Sequence, residues 1–436
     1  PGSKPKNFTL NWFGTTAPVS TAAPSGEPGY SVQIPVTVSG GIATAPGGKP
    51  QIAGPSSANI TFSPFLASGI DTNVESTPGR GTNGFQGNQA LQGPVSILEV
   101  PGSGYTTIQQ AINAAATGQT IVLSPGVFSE SPVLVNKAIS IVGPNAGISG
   151  TGSRSAEARI SDTQLTVTAS GALIDGVEIY QTGSTADAIL LNSPATVRNS
   201  IIRRNGALPS QVVRGITTAV GITGVAITGN LFTVDSSGGF FGGHKSWNSG
   251  IYSNGGGATI TGNTFENLRT ALNLDDFNPA ITVSGNTFRN SGTYISFGGM
   301  VPTLGANTIS GNDFDINYST PGLPSAFLNN SNVGMTFRVN ATGNTFGGIA
   351  TAALSDSQKF AIEARLVHRG RNAKNGVIDF VAGQQVVVAG TTIASAIDAA
   401  SPGNTVLVGP GTFNEDVILN KSLVLKGAGA GLTTLS

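Results

Sequence analysis

The chain contains no cysteine, and charged residues make up only 10% of its 436 residues. Without cysteine the fold has neither disulfide bonds nor thiolate metal sites, so a large hydrophobic core must stabilise it. The 22 lysines and arginines are balanced by 22 aspartates and glutamates. No basic excess is present to bind phosphates, which argues against a nucleic-acid partner. The sequence also lacks an apolar run long enough to span a membrane, and it opens without a charged-then-apolar leader.

One segment of about 40 residues occurs twice. Residues 106–147 read TTIQQAINAAATGQTIVLSPGVFSESPVLVNKAISIVGPNAG, and residues 391–431 repeat them with one deletion. Among the recurring positions are Glu130, which matches Glu415, and Lys137, which matches Lys421. The first copy opens a long region, and the second is followed only by five further residues of this sequence. This arrangement predicts a tandem or end-to-end architecture.

A second, shorter repeat fills the middle of the chain. The motif Gly-Asn-x-Phe occurs five times, with asparagine-to-asparagine steps of 33, 23, 26 and 32 residues. The shortest step fits one turn of a parallel β-solenoid, with the longer steps carrying loop insertions. We expect the phenylalanines to form an internal stack and the asparagines to bond one another, with Gly and a left-handed Asn making the corner. The asparagines are Asn230, Asn263, Asn286, Asn312 and Asn344, and the phenylalanines lie two residues after each.

Two helices are predicted at the ends of this solenoid. Residues 106–116 place Ile108 and Ile112 one turn apart, with Thr106 and Gln109 as a capping box. Residues 355–369 form the strongest helical pattern, capped by Ser355 or Asp356 and stopped by Gly370. Either helix would cover an open end of the solenoid.

The Gly-Asn-x-Phe coils together with the segment TIQQAINAAATGQTIVLSPGVFSE resemble the pectate-lyase-like superfamily of right-handed parallel β-helix proteins. The resemblance implies an all-β fold, a right-handed parallel β-helix with short capping helices and partial β-helix units at both ends. We divide the chain into a closing portion of a β-structure (1–100), the main β-helix (101–350), a capping helix with linker strands (351–390) and the opening of a second unit (391–436). The family includes polysaccharide lyases, epimerases, tailspikes, adhesins and filament-forming proteins, so fold alone does not give function.

The resemblance also implies where a catalytic site would lie, because pectate-lyase-like enzymes use calcium bound by clustered carboxylates, with Arg or Lys as the base. The nearest match is Asp275 and Asp276, with Arg269 shortly before them. Adjacent residues on a strand point to opposite faces, so only one of the two aspartates could join a site. Turn hydrogen bonding at a corner is the more common role for such a pair.

Two further clusters carry chemically useful side chains. The glycine-rich loop 238–248 contains His244, Lys245 and Trp247, which could contact a glycan, or could pack on the solenoid wall. His368 lies among Arg365, Arg369 and Arg371, where a solvated helix end is the ordinary explanation. No acid–base constellation emerges, so we expect no catalytic residues, no cofactor and no metal site.

The composition and the repeats favour a structural subunit of an extracellular or cell-surface filament, sheath or adhesin stalk, which would not be an enzyme. The partner would be a second copy of the chain in head-to-tail contact, with cell-surface polysaccharide as a further candidate. The predicted assembly interface comprises Phe8, Leu10, Trp12, Leu423 and Leu425. The alternative functions are a carbohydrate-active β-helix enzyme, either a polysaccharide lyase or an epimerase, and a glycan-binding module.

Overall fold

A computed structural model describes most of the chain from Ile97 onward. The described ranges are 97–101, 104–130, 132–182, 187–205, 213–235, 249–254, 256–275, 281–298, 308–316, 326–329, 338–368 and 377–436. Four short strands are described before these ranges. Lys6–Asn7 pairs with Ile60–Thr61 in parallel, and Thr37–Ser39 pairs with Ile42–Thr44 in antiparallel.

The main body is a right-handed parallel β-helix, as the repeats predict, with three sheets that run along its length. Each coil contributes one strand to sheet A, then one to sheet B, then one to sheet C, before the next coil begins. Sheet A contains Ile97–Val100, Thr120–Leu123, Ser140–Val142, Ala172–Asp175, Ala195–Arg198, Val225–Thr228, Ala258–Thr261, Thr282–Ser284 and Thr308–Ser310. Sheet B contains Gly126–Phe128, Ala158–Ser161, Glu178–Gln181, Ile201–Arg204, Leu231–Val234, Thr264–Glu266, Thr287–Arg289, Asp313–Phe314, Thr345–Phe346 and Ile349–Ala350. Sheet C contains Val133–Val135, Leu165–Val167, Ile189–Leu191, Arg214–Thr218, Ser249–Asn254, Thr270–Asp275, Thr293–Phe297, Ala326–Asn329 and Leu366–Val367.

Two stacks hold successive coils in register. Phe232, Phe265, Phe288, Phe314 and Phe346 are all fully buried, and the first four stack face to face with centroids 4.8–5.1 Å apart. The asparagines before them form the predicted ladder, in which each side-chain amide donates to the side-chain oxygen of the next coil at 2.9–3.1 Å. Parallel strands stack at about 4.8 Å, so one repeated residue per coil suffices to build each column.

The corner geometry differs from the prediction in one respect. In four of the five copies the glycine of the motif, and not the asparagine, takes the left-handed conformation, with φ of 64° at both Gly262 and Gly285; Gly343 of the last copy does not. Glycine has no Cβ and enters this region without strain, which leaves the asparagine free to point inward and bond the backbone. Asn199 takes the left-handed conformation at the same corner between sheets A and B, in the position that Gly229 holds one coil later, and Asn267 and Asn290 take it at the corner between sheets B and C.

The two copies of the repeated segment fold in the same way. Helix α1 spans Ile108–Ala114 and helix α3 spans Ile393–Ala399. Glu130 accepts hydrogen bonds from the first two backbone N–H groups of α1, and Glu415 does the same for α3. At the other helix end the ammonium groups of Lys137 and Lys421 each donate to three backbone carbonyls. The recurring Glu and Lys are therefore the two caps of a helix that would otherwise leave polar groups unpaired.

Two details of the helix predictions are wrong. The capping box of α1 uses Thr107 and Gln110, one residue later than predicted. Helix α2 begins after its N-cap Ser355, as predicted, but spans only Asp356–Glu363 and does not reach residue 369. The chain then adds Leu366–Val367 to sheet C, because Leu366 pairs with Leu328 of the previous coil and is buried there. A short 3-10 helix, Thr351–Ala353, precedes α2.

The strands after α2 complete the described structure. Val339–Asn340 pairs with Ile378–Asp379, and Gln384–Val387, Thr405–Val408 and Val424–Gly427 form a three-stranded parallel sheet. Gly411–Phe413 pairs with Thr433–Leu435. A second hydrophobic cluster lies under α3, and Leu423 and Leu425 pack against it. None of the helices in the described part of the chain is long and apolar enough to span a membrane.

Candidate functional site

A row of polar side chains lies on the outer face of sheet C. Thr217, Tyr252, Asn273, Ser296 and Asn329 occupy consecutive strands in register. Their neighbours along each strand point inward and are buried, whereas Tyr252, Asn273 and Ser296 are half-buried. Four strand spacings correspond to about 19 Å, so the row can contact an extended ligand lying across the strands.

Arg214, Tyr252 and Asp275 are in contact with one another through the Tyr252 side chain. The guanidinium carbon of Arg214 lies 3.8 Å from the centroid of the Tyr252 ring. The Tyr252 hydroxyl donates a hydrogen bond to Oδ2 of Asp275 on the following strand. A cation–π contact on one side and a carboxylate on the other fix the position of the phenol.

Asp187 supports Arg214 from the preceding coil. Its Oδ1 accepts a hydrogen bond of 2.7 Å from the backbone N–H of Arg214, and its Oδ2 accepts one of 2.6 Å from the hydroxyl of Thr217. The Arg214 guanidinium lies 4.0 Å from the same carboxylate. Both oxygens of Asp187 thus accept hydrogen bonds within the protein. The guanidinium of Arg214 is the positively charged group of this part of the face.

A glycine faces Asp275 on the next strand. The backbone N–H of Gly298 donates to the carbonyl of Leu274, and its φ lies outside the left-handed region. A Cβ added at Gly298 would lie 2.8 Å from Oδ1 of Asp275 and 3.5 Å from Oδ1 of Asn273. Because the backbone does not require glycine here, the missing side chain makes room for the Asp275 carboxylate, which packs over Gly298. Among the described residues no three acidic or histidine side chains come close enough to hold a metal ion.

The residues proposed from sequence are only partly brought together. Asp275 lies on the outer face of sheet C, as the alternation allowed. Arg269 is an exposed corner residue at the opposite end of the same strand, about 20 Å from Asp275 along the chain, so the two do not share a site. Asp276, His244, Lys245 and Trp247 lie outside the described residues, as do Phe8, Leu10 and Trp12 of the predicted interface.

Sequence reasoning missed Arg214 and Tyr252. The coil that separates Tyr252 from Asp275 is 23 residues long, but the coil between Arg214 and Tyr252 carries an insertion. The spacing therefore gives no signal that the residues are neighbours. The alternation around Tyr252, with Ile251 inside, identifies it as an outward-facing residue once the strand is recognised.

The prediction for His368 is also corrected. It does not lie at a solvated helix end, because its side chain is buried and 7% exposed. Its Nδ1 accepts from the backbone N–H of Ile378, so the proton is on Nε2, which contacts Oε1 of Glu363 at 3.1 Å. Burial lowers the pKa of His368 from 6.5 to about 4, although the nearby Asp379 acts to raise it. This histidine is a neutral core residue and not part of a surface site.

In comparisons with known proteins, this chain matches solved structures but no family model and no curated protein. The PL6-family alginate lyase AlyGC aligns over 78% of this chain and 68% of its own, with 13% identity and a TM-score of 0.23, as does a variant of it with an arginine replaced by alanine. An alginate lyase from Paenibacillus sp. strain FPU-7 aligns over 58% of this chain and 96% of its own, with 15% identity and a TM-score of 0.26.

These matches correct one prediction from the sequence, namely that the chain is not an enzyme. The three solved structures described above are alginate lyases, so the β-helix gives no ground for denying an activity. At such identities and TM-scores the likeness does not assign an activity either. A function for this protein must therefore be inferred from its own side chains.

Proposed function

We propose that this protein is a carbohydrate-active β-helix protein that binds an acidic polysaccharide across sheet C and cleaves it by β-elimination. The observation that carries the proposal is that Tyr252 contacts Arg214 of the preceding strand and Asp275 of the following strand, on the outer side of sheet C. A cation, a phenol and a carboxylate are the groups that elimination from a uronate requires.

In the proposed binding mode the sugar chain lies along the row and its carboxylate pairs with Arg214. The sugar carboxylate lies on the outer side of the Arg214 guanidinium, which neutralises it and thereby acidifies the adjacent C–H bond. Asn273 and Ser296 offer amide and hydroxyl groups to sugar hydroxyls on the following strands. Gly298 gives the Asp275 carboxylate the room to lie beside this row.

The proposed reaction balances its protons through the Tyr252–Asp275 hydrogen bond. Asp275 removes the proton on the carbon next to the sugar carboxylate, and the electron pair forms the ring double bond. Tyr252 gives its hydroxyl proton to the departing glycosidic oxygen as the C–O bond breaks. The proton on Asp275 then passes to the Tyr252 oxygen across their hydrogen bond, which restores both groups.

The test is a lyase assay on alginate and polygalacturonate, with ultraviolet absorbance detecting unsaturated uronate ends. We expect activity on one of these polymers, lost about 100-fold or more in Tyr252→Phe and in Asp275→Asn. Arg214→Ala should in addition raise KM, since it removes the carboxylate contact. Thr166→Ala, three strands away on the same outward row, is the matched control. Full activity in Tyr252→Phe, or no activity on either polymer, overturns the proposal.

End-to-end assembly is retained as a second candidate, with the chain as an extracellular structural subunit. It is supported by the outer coil of the second unit, where Ile418 is 73% and Val424 56% exposed. In the first copy Ile139 and Ile141 are covered by the next coil, whereas their matches Leu423 and Leu425 are only partly buried. A coil from a second copy would cover this apolar surface. Sedimentation of the chain and of the double variant Ile418→Asp, Val424→Asp tests it: assembly must occur and must be lost in the variant.

A further inference from the structure

A polar groove lies where the main β-helix meets the second unit. It has a volume of about 870 Å³, within the range of ligand sites in proteins. Its walls come from the segment 338–342, from the strand Gln384–Val387 and the turn before it, and from the end of α3 with the turn that follows. The groove is remote in the chain from Arg214, Tyr252 and Asp275, and none of these lines it.

The charged side chains of the groove are already paired within the protein. Arg338 makes two hydrogen bonds to the carboxylate of Asp379, at 2.6 and 2.9 Å, and a third to the carbonyl of Ala399. The ammonium of Lys421 donates to three carbonyls around the end of α3. With each cation satisfied, the groove offers no free positive group to a carboxylate or phosphate ligand.

The amide side chains of the groove, in contrast, have unused hydrogen-bonding capacity. Oε1 of Gln384 is buried and has no hydrogen-bond partner among the described residues. Asn340 and Asn404 accept hydrogen bonds through their side-chain oxygens, while their NH₂ groups donate none within the part of the chain that the structure describes. A ligand donor that reaches this oxygen, once the Gln384 side chain turns toward the groove, supplies the bond that the protein does not.

The fold itself does not require the two glutamines of the groove, as the first copy of the unit shows, whereas Asn404 matches Gln119 and accepts the same backbone hydrogen bond. The strand Ile97–Val100 pairs with Thr120–Leu123 as Gln384–Val387 pairs with Thr405–Val408. By that register Gln384 and Gln385 correspond to Ile97 and Leu98. The same strand position is thus compatible with aliphatic side chains, and the two glutamines belong to the groove and not to the cap.

We propose that this groove binds a short neutral oligosaccharide. Sugar hydroxyls both donate and accept hydrogen bonds, which suits a set of amides that offers an unpaired acceptor and unpaired donors side by side. Ser401 and Thr342 add hydroxyls at the same groove. The paired charges favour a neutral sugar over a uronate, so this site takes a different ligand from the face of sheet C.

Calorimetric titration of the full chain with cellotriose, maltotriose, mannotriose and trigalacturonate tests the proposal. We expect at least one neutral trisaccharide to bind and trigalacturonate to bind at least tenfold more weakly. Gln384→Leu and Asn404→Leu should each weaken the neutral ligand about tenfold. Asn136→Leu, an exposed asparagine in the first copy, is the matched control and should bind as the parent does.

Thermal melting checks that each variant is folded. If Gln384→Leu fails to fold, Ser401→Trp at the exposed rim takes its place and should block binding by filling the groove. The proposal is overturned if no neutral trisaccharide binds, if trigalacturonate binds as well as the neutral sugars, or if binding survives every groove variant.

Discussion

Phe265 and Phe288 stack with their ring centroids 5.1 Å apart and their planes 9° from parallel. Both rings are fully buried, so each contributes apolar area and a ring–ring contact to the coil above and the coil below. The column is continuous through Phe314, which stacks on Phe288 at the same distance. The stability of the β-helix therefore depends on contacts that repeat along its axis.

Replacing the central ring tests that dependence. Phe288→Ala removes stacking on both sides and leaves a cavity that the flanking coils cannot close, so we expect unfolding to become easier by about 4 kcal/mol. Val220→Ala is the control, since this side chain is 71% exposed, and it should change the free energy by less than about 0.5 kcal/mol. Chemical denaturation measures both. Equal losses would show that the stack is not the stabilising element.

The asparagine ladder gives a second stability prediction. Asn286 accepts from the backbone N–H and the side chain of Asn263, and it donates to the carbonyl of Ile260 and to Asn312. Asn286→Ala leaves buried polar groups on both neighbouring coils without partners, and we expect a loss of about 3 kcal/mol. Native-state hydrogen exchange should show the protection of the Asn263 amide falling most. Unchanged protection there would contradict the ladder's role.

The pattern of the sequence predicts these columns because one residue type recurs once per coil. The proposed active face is different, since Arg214, Tyr252 and Asp275 do not recur from coil to coil and are brought together only by the stacking of their strands. Coil lengths vary, so the register cannot be read from spacing. The extent of α2 was mispredicted for a related reason: the helical pattern runs on to Val367, but Leu366 gains more by joining sheet C beside Leu328.

Acid should weaken the fold through His368. Its pKa is about 4 in the folded chain and 6.5 when exposed, so between these values the unfolded chain binds a proton that the folded chain excludes. The contribution is fully present above pH 6.5 and is lost as the pH falls toward 4. We expect the free energy of unfolding to drop by about 2 kcal/mol between pH 7 and pH 5 from this group.

The groups that face His368 are Glu363 and Asp379. Comparing the parent with His368→Gln at both pH values isolates the histidine from the carboxylates that titrate elsewhere. The variant should be less stable than the parent at pH 7 but should lose less stability on going to pH 5. An identical pH dependence in the two proteins would show that His368 does not titrate in this window.

The matched caps of the two copies predict matched effects. Lys137→Met and Lys421→Met each remove an ammonium that donates to three carbonyls at the end of a helix. We expect the free energy of local opening to fall by about 1–3 kcal/mol. Hydrogen exchange should show the change in α1 for the first variant and in α3 for the second. An effect on α1 with none on α3 would mean that the repeated residues do not have the same role.

Gly298 supplies the sharpest test of the proposed active face, because a substitution there moves the Asp275 carboxylate without changing any of the proposed reacting groups. Its φ is not in the left-handed region, so alanine imposes no backbone strain, but its Cβ would lie 2.8 Å from Oδ1 of Asp275. Gly298→Ala should therefore leave the melting temperature within a few degrees of the parent, while its Cβ displaces the Asp275 carboxylate from its place beside Tyr252. We expect kcat/KM on the polymer to fall at least tenfold, as in Asp275→Asn, with no further loss when the two substitutions are combined. Thr166→Ala, on the same outward row but away from Asp275, should retain full activity. If Gly298→Ala is fully active, the position of the Asp275 carboxylate over Gly298 is not needed for the reaction.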